Sequence, residues 1–285
     1  NAGMITGAVW ADVTGDKTKE LIITGEWMAT RIYSYNKTKN KFEEQTNTNL
    51  NNLYGWWQTI AAGDINGDGK TDLIIGNIGE NFYLRPGKEN PVKLWLNDFD
   101  QSGTMDQFLT RTVDKRDMPV FLKREITEQF PALKKGNLKH SEYAKKSIRD
   151  LFSKELISQS ATKTFNYCQS VVAINEGNGK FTIQPLPQQT QLSSVNAIAI
   201  TDLNGDKRPD ILSGGNLYNF PPQFGRLDAG YGHVLLNEGN SKLTYLEPEV
   251  SGILIRGEVK DIKVIGGYIV AAVNNDKPVV LQVKK

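Results

Sequence analysis

The chain has 285 residues, enough for a sizeable core, and its 39% hydrophobic and 23% charged content is ordinary for a globular protein. A net charge of +2 sets up no global field toward nucleic acid or a membrane surface. One cysteine, Cys168, and two histidines, His140 and His233, exclude an internal disulfide and a cysteine-rich zinc site and leave little room for histidine chemistry.

From the N-terminus, the opening Asn1-Ala2-Gly3 reads as that of a processed chain or a piece of a longer one, and no apolar run reaches the length of a membrane span. Gly7–Asp16 followed by Glu20-Leu21-Ile22-Ile23 is a short apolar strand, an acidic glycine-containing turn and a second apolar strand. The same unit returns at Thr59–Asp68 with Asp72-Leu73-Ile74-Ile75, and at Ala197–Asp206 with Asp210-Ile211-Leu212. A second kind of hairpin lies downstream of each unit. Arg31–Tyr35 with Phe42 is a loose copy, and Val171–Asn175 with Glu176-Gly177-Asn178-Gly179 and Lys180-Phe181 is the clearest. Val234–Asn237 with Glu238-Gly239-Asn240 and Leu243 is another, its Gly-Asn turn supplying positive φ.

Between about Asp114 and Ser160 the alternation fades, which predicts a helical insertion. Asp117 with Pro119 is expected to start one helix and Pro131 to end it, and Ser141 with Glu142 to start a second running through Ile148 and Leu151. Its lysines and arginines are interleaved with acids, as on a solvated face. Strands resume at Ile262–Ile265, Tyr268–Val273 and Val279–Val283, with Asn274-Asn275-Asp276 as a turn. Two successive hairpins make a four-stranded unit. The expected fold is therefore all-β: a propeller-like array of four-stranded blades over residues 1–285, one domain, with the helical insertion at about 114–160.

The acidic turns carry the chemistry. In Asp64–Asp72, oxygen-bearing side chains stand at positions one, three, five and nine: Asp64, Asn66, Asp68 and Asp72. Position seven, Lys70, offers its backbone carbonyl. A curled loop of this pattern turns alternate oxygens inward, which suits calcium, a hard cation taking about 6–8 oxygens at about 2.3–2.6 Å. A second set is Asp202, Asn204, Asp206, Arg208 through its carbonyl, and Asp210. A third is Asp98, Asp100, Ser102, Thr104 through its carbonyl, and Asp106; a fourth is Asp12, Thr14, Asp16, Thr18 through its carbonyl, and Glu20. Gly69 and Gly103 serve the sharp turn at position six, where the other two loops carry Lys207 and Lys17, expected to weaken an ion. Position twelve is Ile75, Ser213 or Leu109 in the first three, so the bidentate glutamate of an EF-hand is absent. So many protein oxygens favour calcium over magnesium, which keeps its waters.

Asp-Ile-Asn-Gly-Asp-Gly-Lys-Thr-Asp-Leu at 64–73 and Asp-Leu-Asn-Gly-Asp-Lys-Arg-Pro-Asp-Ile at 202–211 resemble FG-GAP or VCBS repeats. Those repeats build β-propellers, the integrin alpha head among them, and carry calcium in these loops. The run from Gly177-Asn178-Gly179-Lys180-Phe181 through Gly214-Gly215-Asn216 to Gly225–Gly232 resembles the C-terminal part of VCBS proteins of the ASPIC and UnbV type, common in Bacteroidetes. The resemblance implies an exported or cell-surface protein, extracytoplasmic in location, with structural calcium. Thr14, Lys17 and Lys207 depart from the family pattern.

Trp10, Trp27, Trp56, Trp57 and Trp95 read as blade core before they read as a sugar platform. The connection Gly214–Pro222, rich in Gly, Asn and aromatics, is the place for a ligand, with Asn216, Tyr218, Arg226, Asp228 and Tyr231 as its candidate contacts. His233 reads as a packed strand residue and Cys168 as buried. The sequence carries no motif for a catalytic triad, and most carboxylates fall in the acidic loops. The expected role is a calcium-binding module for a protein or glycan partner, with no nucleic acid and no transmembrane segment. A carbohydrate-active enzyme, a propeller lyase or hydrolase using calcium, is the alternative.

Overall fold

The β-branched runs that flank each acidic turn fold, in the computed structural model, into antiparallel strand pairs. The structure describes residues 2–221 and 224–283; Pro222 of the candidate ligand loop and Asn1 lie outside them. Strands take 41% of the chain and helices 14%, so the all-β expectation holds. The chain forms two compact units. One runs up to Tyr83 and resumes at Cys168; the other is Leu84–Tyr167.

The first sheet is a meander of β1 (Met4–Ala11), β2 (Glu20–Met28), β3 (Arg31–Asn36) and β4 (Lys41–Glu44), with the short β5 (Gly55–Trp56) paired to the far end of β2. The second sheet opens with β6 (Thr59–Gly63) and β7 (Asp72–Gly76), and then the chain leaves to build the other unit. That unit holds β8 (Val92–Asn97), β9 (Asp106–Val113), β10 (Arg116–Pro119) and β11 (Ala161–Phe165) in the order β10-β9-β8-β11. Between β10 and β11 run α1 (Lys123–Gln129), α2 (His140–Tyr143), α3 (Ile148–Leu151) and α4 (Lys154–Gln159). The chain then returns to finish the second sheet with β12 (Val171–Gly177) and β13 (Lys180–Pro185). A third sheet follows, β14 (Val195–Thr201), β15 (Asp210–Gly215), β16 (His233–Asn237) and β17 (Leu243–Leu246). After α5 (Pro248–Ser251) comes a three-stranded sheet of β18 (Val259–Ile265), β19 (Tyr268–Val273) and β20 (Val279–Gln282).

The insertion expected at about 114–160 is thus part of a larger unit that begins at Leu84 and has its own sheet. Asp117 and Pro119 belong to strand β10 and not to a helix start. Asp117 is held there by Lys93 Nζ at 2.9 Å and the Thr112 hydroxyl at 3.1 Å, partners distant in sequence that outweigh the local Asp-x-Pro signal. The helix begins six residues later at Lys123 and ends before Pro131, as the proline requires. The expected second helix is broken into α2 and α3, because the Ser147 N–H and hydroxyl both turn to Asp150 and start a new first turn. Phe99, Phe108, Phe130 and Ile148 form the core of this unit.

In the larger unit the first strands β1, β6, β14 and β18 succeed one another in contact, so the sheets stack face to face. Strands β7 and β15 are buried along their whole length, which is why Leu73-Ile74-Ile75 reads as a continuous apolar run. Ile74, Val172 and Ile174 of the second sheet pack on Ile211 and Leu235 of the third, and Leu212 and Val234 on the third sheet's other face pack on Ile262 and Ile269 of the fourth. Trp57 and Trp95 are core residues as expected, but Trp10 is 51% exposed on β1. Cys168, expected to be buried, is half-buried.

Two glycines mark where strands come too close for a side chain. β1 bulges between Ile5 and Gly7, and β14 bulges at the equivalent place between Val195 and Ala197. Facing them are Gly25 and Gly215, where a Cβ would sit 2.0 Å from the Met4 carbonyl oxygen and 1.6 Å from that of Ser194. Gly215→Ala is expected to cost about 3 kcal/mol of stability by overpacking, read from chemical denaturation; a loss within measurement error shows that the bulge yields.

Candidate metal loops

Each acidic loop joins the first two strands of a sheet, so the register of the pair fixes where the loop begins and ends. Gly63 pairs with Asp72, Thr201 with Asp210, Ala11 with Glu20 and Asn97 with Asp106. Position nine is therefore the first residue of the returning strand in all four loops, and it is buried where sheets stack: Asp72 and Asp210 are 0% exposed and Glu20 1%.

A buried carboxylate must find donors. Position nine accepts the backbone N–H of position two every time: Ile65 to Asp72 at 2.8 Å, Leu203 to Asp210 at 2.8 Å, Phe99 to Asp106 at 3.0 Å and Val13 to Glu20 at 3.0 Å. Its other oxygen is taken in the stacked sheets by the third strand, Asn175 N–H on Asp72 and Asn237 N–H on Asp210, both at 2.8 Å. Burial still pushes the Asp72 carboxyl above the ordinary carboxylate range against these hydrogen bonds.

Position one organises the curl. Asp64 accepts the N–H groups of Gly67 and Gly69 at 2.7 and 2.8 Å, Asp202 those of Gly205 and Lys207 at 2.6 and 3.0 Å, and Asp12 those of Gly15 and Lys17 at 2.7 and 2.8 Å. In the third loop Asp98 accepts from Ser102 and Gly103 at 2.9 and 2.8 Å. Position three accepts the N–H of position five: Asp68 to Asn66, Asp206 to Asn204 and Ser102 to Asp100, each at 3.0 Å. Position five then accepts from position seven in three loops, Lys70 to Asp68, Arg208 to Asp206 and Thr18 to Asp16. These donors, with the Ser102 hydroxyl first among the causes at Asp100, hold Asp68, Asp100 and Asp206 below the ordinary carboxylate range.

The lysines at position six do not change the backbone. Lys207 at φ 71° and Lys17 at φ 66° follow the same left-handed path as Gly69 at 83° and Gly103 at 86°. The cations that reach loop carboxylates come instead from position seven: Lys70 Nζ lies 3.1 Å from Asp68 and the Arg208 guanidinium 2.5 Å from Asp206. Thr14 takes part by donating its hydroxyl to Glu20 at 3.4 Å. Among the described residues, a group of three carboxylates converging within 4.8 Å is found in the third loop, at Asp98, Asp100 and Asp106. That donor set, all hard oxygen, fits a hard divalent cation.

Two asparagines escape a search for ligands. The Asn175 amide donates to the Thr71 carbonyl of its own sheet and the Val13 carbonyl of the first sheet's loop, at 3.0 and 2.9 Å. The Asn237 amide repeats this on Pro209 and on Ile65 of the second sheet's loop, at 3.1 and 2.7 Å. Each also accepts the N–H two residues on, Gly177 or Gly239. The recurring Asn-Glu-Gly-Asn at 175–178 and 237–240 was the available signal. It reads as turn chemistry alone until the neighbouring loop is in place.

The candidate ligand loop separates into two roles. Asn216 is 2% exposed, and its amide holds the loop together through Gly230 and Gly257 carbonyls, both at 2.8 Å, the Gly230 N–H at 2.9 Å and the Ser193 hydroxyl at 2.8 Å. The other candidates stay at the surface: the Arg226 guanidinium lies 5.3 Å from the Tyr218 ring centre, and Asp228 and Tyr231 are exposed. Trp27, Trp56, Phe82 and Phe220 form a chain of ring contacts, edge-on between the two tryptophans and tilted beyond them, and Tyr83 stacks on Phe224 at 3.9 Å.

Residues 4–75 match the FG-GAP-like repeat family. The match spans the first sheet and the first hairpin of the second, and so contains the Asp12 and Asp64 loops. No curated protein matches the chain.

Asn237→Ala orphans the Ile65 and Pro209 carbonyls and is expected to cost about 2 kcal/mol, measured by denaturant titration; a loss below half of that removes the clamp from the account. His233, on β16 as expected, supplies a pH signature. Burial pushes its imidazole down to about 4 from 6.5. The unfolded chain therefore binds this proton first, and the stability tied to neutral His233 is complete above pH 6.5 and drains away as the pH falls toward 4. The contribution is about 3 kcal/mol. His233→Gln is expected to flatten the stability–pH curve across that window, and an unchanged slope contradicts the assignment.

Proposed function

We propose that the chain is a calcium-stabilised, propeller-type binding module of an extracytoplasmic protein, engaging a protein or glycan partner. One observation carries the metal reading. Four loops of different sequence close in nearly the same hydrogen-bonded curl, each presenting alternate oxygens, and in one of them three carboxylates already converge within 4.8 Å. Such clustering repels itself in the absence of a cation. The ligands are Asp64, Asn66, Asp68, Lys70 and Asp72 in one loop, and Asp202, Asn204, Asp206, Arg208 and Asp210 in the next, with the lysine and arginine acting through their carbonyls. Asp98, Asp100, Ser102, Thr104 and Asp106 form the third site; Asp12, Thr14, Asp16, Thr18 and Glu20 form the fourth.

The module reading rests on the stacked four-stranded sheets and on the FG-GAP-like repeat at 4–75, a repeat typical of extracellular proteins and often used for protein binding. No described helix is long and apolar enough to cross a membrane. The partner is met at the sheet ends opposite the acidic loops, where Tyr218, Arg226, Asp228 and Tyr231 stand on a connection tied down by Asn216. The resemblance of the 177–232 run to bacterial VCBS proteins of the ASPIC and UnbV type agrees with this reading.

Calcium saturating a site that exists only in the folded state stabilises it by about 3 kcal/mol at 100 times Kd. Chelation is expected to lower the melting midpoint by about 2–4 °C for each kcal/mol lost, with recovery on adding calcium. Asp64 holds three backbone N–H groups and Asp12 two, so Asp64→Ala is expected to lower the midpoint more than Asp12→Ala. A melting curve indifferent to chelator and calcium overturns the metal reading, and the reverse order of the two variants overturns the ranking.

A further inference from the structure

We infer that the inserted unit carries a docking surface for an anionic lipid bilayer, formed by residues 121–149. The net charge of the whole chain, +2, conceals a local excess. Between 131 and 149 stand Lys134, Lys135, Lys139, Lys145, Lys146 and Arg149, with Glu142 the one acid among them. The inner side of this stretch is anchored in the unit's aromatic core by Tyr143 and Ile148. The basic side chains are left on the outer side, all exposed but the half-buried Lys146. Hydrogen bonds bring the start of α1 to the same place. The Tyr143 hydroxyl donates to the Phe121 carbonyl at 3.0 Å, and Lys123 Nζ donates to that of Leu138 at 2.9 Å. Lys146 Nζ donates to the Gly136 carbonyl at 2.8 Å, so a second amine is drawn onto the turn at 136–138.

The neighbouring acids do not answer this charge, because each is already engaged. Glu125 accepts the Leu122 N–H at 2.7 Å, and Glu128 pairs with Arg124 at 2.8 Å. Asp150 takes the Ser147 N–H and hydroxyl and the Arg116 guanidinium. Glu142 lies 3.9 Å from Lys139. Among the described residues, Lys134, Lys135, Lys145 and Arg149 make no side-chain hydrogen bond or ion pair. Like charges so placed repel one another and are relieved by a surface of opposite sign. The leucines decide which surface. Leu138 is 74% exposed within the basic turn, and Leu122 is 61% exposed beside Lys123, whose amine reaches Leu138. A soluble polyanion uses the lysines and leaves both leucines in water. A bilayer takes up both: headgroup phosphates meet the amines, and the leucines enter the acyl boundary beside the lysine stems. The stretch exposes no large aromatic side chain on which bases could stack, which sets single-stranded nucleic acid aside. The surface draws on no residue of the acidic loops or of the Tyr218 connection.

The test is co-sedimentation of the full chain, with calcium present, on vesicles of equal parts phosphatidylcholine and phosphatidylglycerol and on vesicles of phosphatidylcholine alone. The expected result is binding to the mixed vesicles only, weakening as salt is raised. Lys134→Gln with Lys135→Gln is expected to weaken it about 30-fold, about fivefold for each lysine, with the circular dichroism spectrum unchanged. Lys145→Gln gives an independent reading if the double variant misfolds. Leu138→Ser is expected to weaken vesicle binding about tenfold or more and to leave retention on immobilised dextran sulfate as it was. No binding to either vesicle, or equal binding to both, overturns the inference. So does binding indifferent to the lysine variants, which points to calcium bridging the lipid to the acidic loops. Vesicle binding unchanged by Leu138→Ser overturns it as well and leaves a site for a soluble polyanion.

Discussion

A carboxylate shut away from water at the foot of a turn has to be met by hydrogen-bond donors, and this requirement organises the larger unit. Asp72 and Asp210 each sit where two strands diverge, and each takes one N–H from its own loop and one from the third strand of its sheet. The loop is thereby locked to the sheet at its closing end. The opening end is locked by Asp64 or Asp202, which gathers the N–H groups of the turn. With both ends fixed, the intervening oxygens have few directions left in which to point. In the function we propose, metal affinity is a by-product of satisfying the backbone, and a cation relieves the repulsion that this arrangement creates.

The same requirement reaches between sheets. Asn175 and Asn237 follow the third strand to its end, where the backbone is already committed to Asp72 or Asp210, and their amides span to the loop of the sheet before. Stacking of apolar faces sets the distance between sheets, but it is non-directional. The amide clamps supply the direction. They also confine the loops to one end of the sheets, leaving the other end to the connections that carry Tyr218, Arg226 and the aromatic chain through Trp56 and Phe220.

Much of this was legible in residues alone, since Asp-x-Asn-Gly-Asp flanked by Ile and Leu dictates two strands and a curl. The equivalence of Lys17 and Lys207 with glycine was not, because a sequence gives the strain of a left-handed lysine without showing the hydrogen bonds to Asp12 and Asp202 that compensate it. The start of the inserted unit was missed for a related reason. Leu84–Asp106 carries the same strand-and-acidic-loop pattern as the repeats, and only its pairing with β11 shows that it belongs elsewhere. Asp117 misled in the same way, its salt bridge to Lys93 being a tertiary fact. Asn216 looked like a ligand contact because polar residues in long connections often are, yet its amide faces inward and is fully occupied.

The excursion between β7 and β12 has a consequence for how the molecule assembles. Closing a gap of about 90 residues costs about 3 kcal/mol more chain entropy than closing a turn of about four. The second sheet is the one that bears this cost, and β6–β7 on its own is a lone hairpin. Yet the chain departs and returns at one point: the Gly79 N–H bonds the Cys168 carbonyl at 2.8 Å, and the Ser170 hydroxyl meets the Asn77 N–H at 2.9 Å. An insert that collapses early on its own aromatic core shortens the tether before β12 must find β7. The order of events expected during synthesis is then inside out, with the guest unit folding ahead of the host sheet that it interrupts.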